Sequence, residues 1–235
     1  MPSVFKLVFA LVFTTIISAL IVICALFDHT GTSFHRLTKV FAHTLLRVCG
    51  VKITVAGVDK IPFDRSYVYV SNHASYFDIP AVIAAIPDRL HIVYKKELER
   101  IPIFGWGLKY GRTYIGIDRG RGLDAAQSLE DAATRIRNGA SVLMFAEGTR
   151  SQNGMLQPFK RGPFNLAMKA GAPVVPVAIH GSYGVLPRNS WRIRTGTISL
   201  TLGEPITPMQ ANGRESEIAL RDEAHSVIQR NLQQV

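Results

Sequence analysis

From Val51 onward the sequence alternates short aromatic and β-branched runs with stretches whose apolar positions recur every three or four residues. That alternation restricts the fold more than any other feature. Residues 52–56, 67–71, 91–94, 113–117, 141–145, 174–179 and 197–202 read as strands. Helical patterns fall between several of them: 79–86; Ala126, Leu129, Ala133 and Ile136, closed by Gly139; and 164–170, closed by Gly171. Leu220, Ala224, Val227 and Ile228 mark a last helix. The expected fold class is α/β, a mixed and largely parallel sheet flanked by helices on both faces. In such sheets ligands bind outside the carboxyl ends of the strands, so the loops that follow strands are where chemistry is sought.

Ahead of this domain, residues 7–27 form an apolar run broken only by Thr14, Thr15 and Ser18. It is long enough to cross a hydrocarbon core of roughly 30 Å. A cleaved signal peptide fits less well, because Lys6 is the whole basic n-region and no small-x-small site follows. Arg36, Lys39 and Arg47 follow the run, so a spanning helix would leave the main body on the cytoplasmic side, at the inner membrane if the cell is bacterial. Next, Phe34, Leu37, Phe41, Leu45 and Val48 form an apolar stripe opposite Arg36, Lys39, His43 and Arg47. That pattern suits a helix in the membrane interface, a helix packed on the domain core, or one arm of a hairpin dipping into a single leaflet. Residues 1–50 are expected to be a membrane anchor and 51–235 the main domain, with removal of the first 48 or so leaving that domain able to bind a soluble ligand.

The 27 Lys plus Arg against 17 Asp plus Glu give a formal charge of +10, which calls for an anionic partner. Zinc-finger spacing, an aromatic RNP-like stretch and a strongly basic helix are all missing from the soluble part, so no nucleic acid is expected. An anionic membrane surface and a phosphorylated substrate remain. With only Cys24 and Cys49, neither a disulfide framework nor a metal site is expected.

Ser71-Asn72-His73-Ala74-Ser75-Tyr76-Phe77-Asp78 places an imidazole at a strand end and a carboxylate at a helix start. A carboxylate on one ring nitrogen fixes the tautomer and leaves the other nitrogen free to take a proton. A His near an Asp is most often a surface or capping pair; here other strand ends carry polar groups as well. Asp118-Arg119 follows one strand, and Glu147-Gly148-Thr149-Arg150 follows another. The two arginines offer fork-shaped donors for a phosphate, and Gly148 lets backbone approach it.

These residues carry a resemblance. Asn72-His73-x4-Asp78, Ile117-Asp118-Arg119, Glu147-Gly148-Thr149-Arg150 with Pro158-Phe159-Lys160 and Gly162, and Val174-Val175-Pro176-Val177 resemble the four ordered blocks of the glycerolipid acyltransferases, in particular the lysophosphatidic acid (1-acylglycerol-3-phosphate) branch. Lys95-Lys96-Glu97-Leu98 and Ile101-Pro102-Ile103-Phe104-Gly105 are similar to that family too. Ala146 departs from the Pro common before the Glu, and Gly116 is a smaller variation. The resemblance implies acyl transfer from acyl-CoA or acyl carrier protein, a co-substrate with no other cofactor, to the sn-2 hydroxyl of a lysophospholipid acceptor. His73 would be the general base and Asp78 its orienting group. Lys95, Arg119, Glu147, Gly148, Thr149 and Arg150 would hold the acceptor, Glu147 by orienting an Arg or touching the glycerol. Backbone N–H groups near His73 are candidate oxyanion donors, and Ser75 is the candidate for a covalent route, although the family pattern leaves its position variable. Another lysolipid acceptor, a lipid hydrolase and a non-catalytic lipid binder remain as alternatives.

Overall fold

The computed structural model describes residues 2–28, 30–111, 113–118, 123–208 and 213–234, without the side chains of 123–125. Seven strands form one sheet: β1 (Val51–Ala56), β2 (Val68–Ser71), β3 (Leu90–Lys95), β4 (Ile115–Ile117), β5 (Ser141–Phe145), β6 (Val174–His180) and β7 (Gly196–Leu202). Their order is β1-β7-β6-β2-β5-β3-β4, and every neighbouring pair is parallel except β6 and β7.

Side chains alternate across this sheet. Tyr67 and Tyr69 join Leu143, Val175 and Val177 on one face, while Val68 and Val70 join Val142 and Val174 on the other. Burial on both faces is why these strands read as continuous apolar runs. The first face is covered by α2 (Thr32–Cys49) and α3 (Asp78–Ala85), the second by α5 (Leu123–Arg137), α6 (Gly162–Ala170) and α8 (Arg214–Gln233).

The amino-terminal segment folds back on this body. α1 (Ser3–Cys24) is the one helix among the described residues long and apolar enough to cross a membrane. It packs along α2 as a hairpin. Lys6, buried near the start of α1, donates its Nζ to the Cys49 carbonyl at 2.7 Å. An ammonium at a helix carboxyl end meets both an unpaired carbonyl and the negative end of the helix dipole. Farther along, Ile17 and Ile21 pack with Phe34 of α2. α1 also lies against α4 (Phe104–Tyr110), and a Cβ on Gly107 would sit 3.1 Å from that of Ser18. Its outer side exposes Phe5, Val8, Leu11, Val12 and Ile16.

Of the three arrangements open to the second helix, the hairpin arm and the helix packed on the core are one and the same. Ala42, Leu45, Leu46 and Cys49 belong to the core that β2, β5 and β6 build with α3. The first 48 residues therefore cannot be lifted off without opening that core, contrary to the expectation from sequence.

Three smaller differences have local causes. β4 starts at Ile115 rather than 113, because Thr113 turns to donate its hydroxyl to the Gly111 carbonyl at 3.2 Å. α4 was hidden by its glycines, which are poor helix formers but admit neighbours: a Cβ on Gly105 would overlap the Leu98 carbonyl, and one on Gly111, just past the helix end, the Phe34 ring. A tight turn feeds α4, with the Phe104 N–H donating to the Pro102 carbonyl at 2.7 Å across Ile103 at φ 63° and ψ −60°. This is the rare positive-φ γ-turn, strained for a β-branched residue. α7 (Ser182–Val185) is a single turn after β6.

Candidate active site

Because β2 to β6 run parallel, their carboxyl ends share one edge of the sheet. The loop after β2 is fixed first by Asn72. Its amide donates to the Ile179 carbonyl at 2.9 Å, and its oxygen accepts the Ile179 N–H at 2.8 Å. The side chain thus imitates a strand partner for β6 and sets the direction in which His73 leaves the sheet.

The His73 ring stacks on Phe145, the last residue of β5, with centroids 3.9 Å apart and planes 16° from parallel. Its Nδ1 lies 2.7 Å from Asp78 Oδ2. Asp78 is fully buried as the first residue of α3, and its side chain turns back into the loop. The same Oδ2 accepts the N–H groups of Ala74 and Ser75, each at 2.8 Å. Three donors therefore converge on one oxygen, which fixes Nδ1–H as the tautomer and leaves the Nε2 lone pair as the ring's proton acceptor. Among the described residues Oδ1 has no hydrogen-bond partner.

Ser75 is not poised for attack. Its buried hydroxyl donates to the Leu186 carbonyl at 2.9 Å and accepts the Phe77 N–H at 3.1 Å. The nearest backbone amides are also engaged: those of Ala74 and Ser75 by Asp78, and that of His73 by Glu147 at 3.1 Å. None of the three is left to stabilise an oxyanion.

Glu147 follows β5 and is buried, with Oε1 on the His73 N–H. It holds the backbone of the His73 loop. Burial pushes its carboxyl up to about 7, and the backbone amides of His73 and Gln157 only partly offset that. The folded state thus keeps this proton to higher pH than the unfolded chain. Its contribution to stability is present at low pH and is lost as pH rises toward about 7. We expect the thermal midpoint of the wild type to fall between pH 5 and 8 relative to that of Glu147→Gln, whose amide does not titrate. Parallel melting profiles for the two proteins would contradict this.

Gly148 turns the chain with φ 76°. Thr149 is exposed, and Arg150 lays its guanidinium 3.6 Å above the ring centre of Tyr76, inside the His73 loop. Ser151 donates its N–H to the His73 carbonyl at 2.7 Å. Lys95 ends β3, which β5 separates from β2, and its ammonium pairs with Glu97 at 3.1 Å on the surface. Arg119 lies outside the described residues. Sequence reasoning missed Tyr76, Phe145 and Arg188, whose Nη1 donates to the Arg150 carbonyl at 2.8 Å. Phe145 could have been found from its place at the end of a central strand; Arg188, in a loop after Pro187, carries no signal.

A buried carboxylate on Nδ1, an available Nε2 and no free protein nucleophile in the loop form a site that can deprotonate a hydroxyl brought to it. The family model described as "Acyltransferase" matches residues 52–180. A 1-acyl-sn-glycerol-3-phosphate acyltransferase of Pseudomonas aeruginosa is 32% identical over 197 residues, 83% of this chain and 75% of that protein. The chloroplastic 1-acyl-sn-glycerol-3-phosphate acyltransferase BAT2 of Brassica napus is 30% identical over 209 residues, 88% of this chain and 58% of its own length. The chain thus spans a little over half the length of such plant relatives. In fold it is similar to the crystal structure of the 1-acyl-sn-glycerophosphate (LPA) acyltransferase PlsC from Thermotoga maritima, with a TM-score of 0.81 and 24% identity over 99% of this chain and 95% of that one.

Proposed function

The chain belongs to the acyltransferase family, and we propose that it moves a fatty acyl group from a thioester, on coenzyme A or acyl carrier protein, to the sn-2 hydroxyl of lysophosphatidic acid, giving phosphatidic acid. The observation that carries this reading is the 2.7 Å contact of His73 Nδ1 with Asp78. The 1-acyl-sn-glycerol-3-phosphate acceptor named for several relatives supports the choice of lipid. The acceptor oxygen attacks the thioester carbonyl while Nε2 takes its proton, and Asp78 stabilises the imidazolium that forms. The tetrahedral oxyanion collapses and expels the thiolate, which takes the proton back from His73. Proton and electron pair both balance without a covalent enzyme intermediate, in keeping with the commitment of Ser75 to Leu186 and Phe77.

Membrane association belongs to the same proposal. The exposed apolar side of α1 would enter the acyl region, and Arg36, Lys39, His43 and Arg47 of α2 would meet anionic head groups, at roughly 1 kcal/mol per Lys or Arg near the surface. The lipid's head group then reaches His73 without crossing bulk water. A cytoplasmic-side domain is part of the proposal, with the basic residues that follow the apolar run as its support.

The test is thioester consumption by the purified full-length protein in vesicles, with acyl-CoA and acyl carrier protein donors and a panel of lysolipids. Consumption that depends on lysophosphatidic acid and yields phosphatidic acid supports the proposal. Consumption without any acceptor would make the protein a hydrolase, consumption with a different lysolipid would change the acceptor, and none at all would leave a lipid-binding protein.

A further inference from the structure

Three loops meet beside His73 and are tied in a ring. Ser151 donates to the His73 carbonyl at 2.7 Å, Arg188 to the Arg150 carbonyl at 2.8 Å, and Ser75 to the Leu186 carbonyl at 2.9 Å. Between the second and third loops lies an open cleft of about 220 Å³ lined by Thr149, Arg150, Asn153, Gln157 and Arg188, among others. Every residue that lines it is polar or charged, and none is acidic.

The two guanidiniums here are unusual in their company. Most of the other arginines whose contacts are described sit on a carboxylate: Arg65 on Asp64, Arg137 on Glu130, Arg161 on Glu217, Arg221 on Asp222. Arg150 instead rests on the Tyr76 ring, and Arg188 spends one nitrogen on a backbone carbonyl; neither has a carboxylate within 4 Å among the described residues. A guanidinium presents five donors, so most of those on Arg188 remain for something else. Two forks lining one cleft, with Thr149 and Gln157 among its other lining residues, suit an anion with several acceptor oxygens better than a monoanion or a neutral group.

With Arg150 already expected at the acceptor's phosphate, we propose that Arg188, outside all the sequence blocks, is the second cation there and the residue that selects a phosphomonoester over a phosphodiester. The inference rests on the acyl transfer proposed above. A phosphomonoester dianion can engage both arginines, whereas a phosphodiester has lost one acceptor oxygen and one charge to its substituent. Arg188 also fixes Arg150 through the backbone, so loss of its side chain removes one fork and loosens the other.

The experiment compares wild type, Arg188→Ala, Arg188→Gln and Arg188→Lys, full length in vesicles, with lysophosphatidic acid and with a lysophosphodiester such as lysophosphatidylcholine. For Arg188→Ala we expect KM for lysophosphatidic acid to rise roughly 10-fold or more with kcat within about 2-fold, as loss of a charged hydrogen bond implies. Any turnover on the phosphodiester should fall by a clearly smaller factor, since its single charge can still be met by Arg150 alone. Arg188→Gln keeps an amide donor for the Arg150 carbonyl without the charge; it should resemble Ala in KM, and Arg188→Lys should recover part of the loss. Glycerol 3-phosphate serves as a soluble probe, and its inhibition of the wild type should weaken in parallel in the Ala variant. An unchanged KM and unchanged inhibition, or equal losses on both acceptors, would overturn the inference. Wild-type protein inactive with every lysolipid would instead defeat the acyl-transfer proposal itself.

Discussion

His73→Ala is expected to reduce acyl transfer roughly 100- to 10,000-fold, the usual contribution of a positioned general base, while the protein stays folded. The ring packs against Phe145 and bonds only Asp78 through its side chain, so its removal costs one aromatic contact and one hydrogen bond. Asp78→Asn tests the other half of the pair. The carboxylate is fully buried and three donors meet on Oδ2, which an amide oxygen can still accept, but the charge that stabilises the imidazolium is gone. The amide nitrogen would take the position of Oδ1, which has no partner among the described residues, and burying it unsatisfied costs about 1–3 kcal/mol. The two variants should therefore separate: both inactive, with only Asp78→Asn clearly less stable to heat or urea. If His73→Ala kept a tenth or more of wild-type turnover, His73 would not be the base.

Deleting residues 1–48 is expected to leave a chain that does not fold, a larger effect on stability than any single substitution considered so far. Leu45 and Leu46 are buried among Ile83, Val177, Leu200 and their neighbours, on the sheet face that α2 covers. Leu→Ala at either position should cost about 2–5 kcal/mol, a large part of the roughly 5–15 kcal/mol that holds a domain together. A soluble truncated protein with a single cooperative melting transition would refute this. Replacing only the exposed side chains Phe5, Val8 and Val12 by Ser should by contrast spare the fold and weaken vesicle binding, as flotation would measure.

The sheet was legible because its central strands are buried on both faces and therefore appear as uninterrupted β-branched and aromatic runs. His73, Asp78, Glu147 and Arg150 were legible as candidates because polar residues at the ends of such runs have no packing role to justify them. Their partners were not. Nothing in the sequence says that Glu147 would hold the His73 backbone, since that contact spans 74 residues and depends on β2 and β5 being neighbours. Arg188 was invisible because an arginine after a proline in a loop looks like any solvated residue. α2 was half-read: its stripe and basic face were clear, but whether the stripe met lipid or protein depends on α3, whose position the periodicity of α2 does not specify.

The place of β1 has a consequence for how the chain assembles. Its neighbour in the sheet is β7, and Thr54 and Ser199, whose hydroxyls meet across the two strands, are 145 residues apart. At a synthesis rate of about 5–20 residues per second, β1 waits on the order of ten seconds on the ribosome before its partner exists. The hairpin of α1 and α2 has no such delay, because Lys6 and Cys49 are 43 residues apart, and local contacts form early. Until Asp78–Ala85 is made, early in that interval, the hairpin has neither sheet nor α3 against its inner side. A bilayer close to the exit tunnel is the apolar surface that can cover it meanwhile, so the same residues that later fill the core would first depend on lipid.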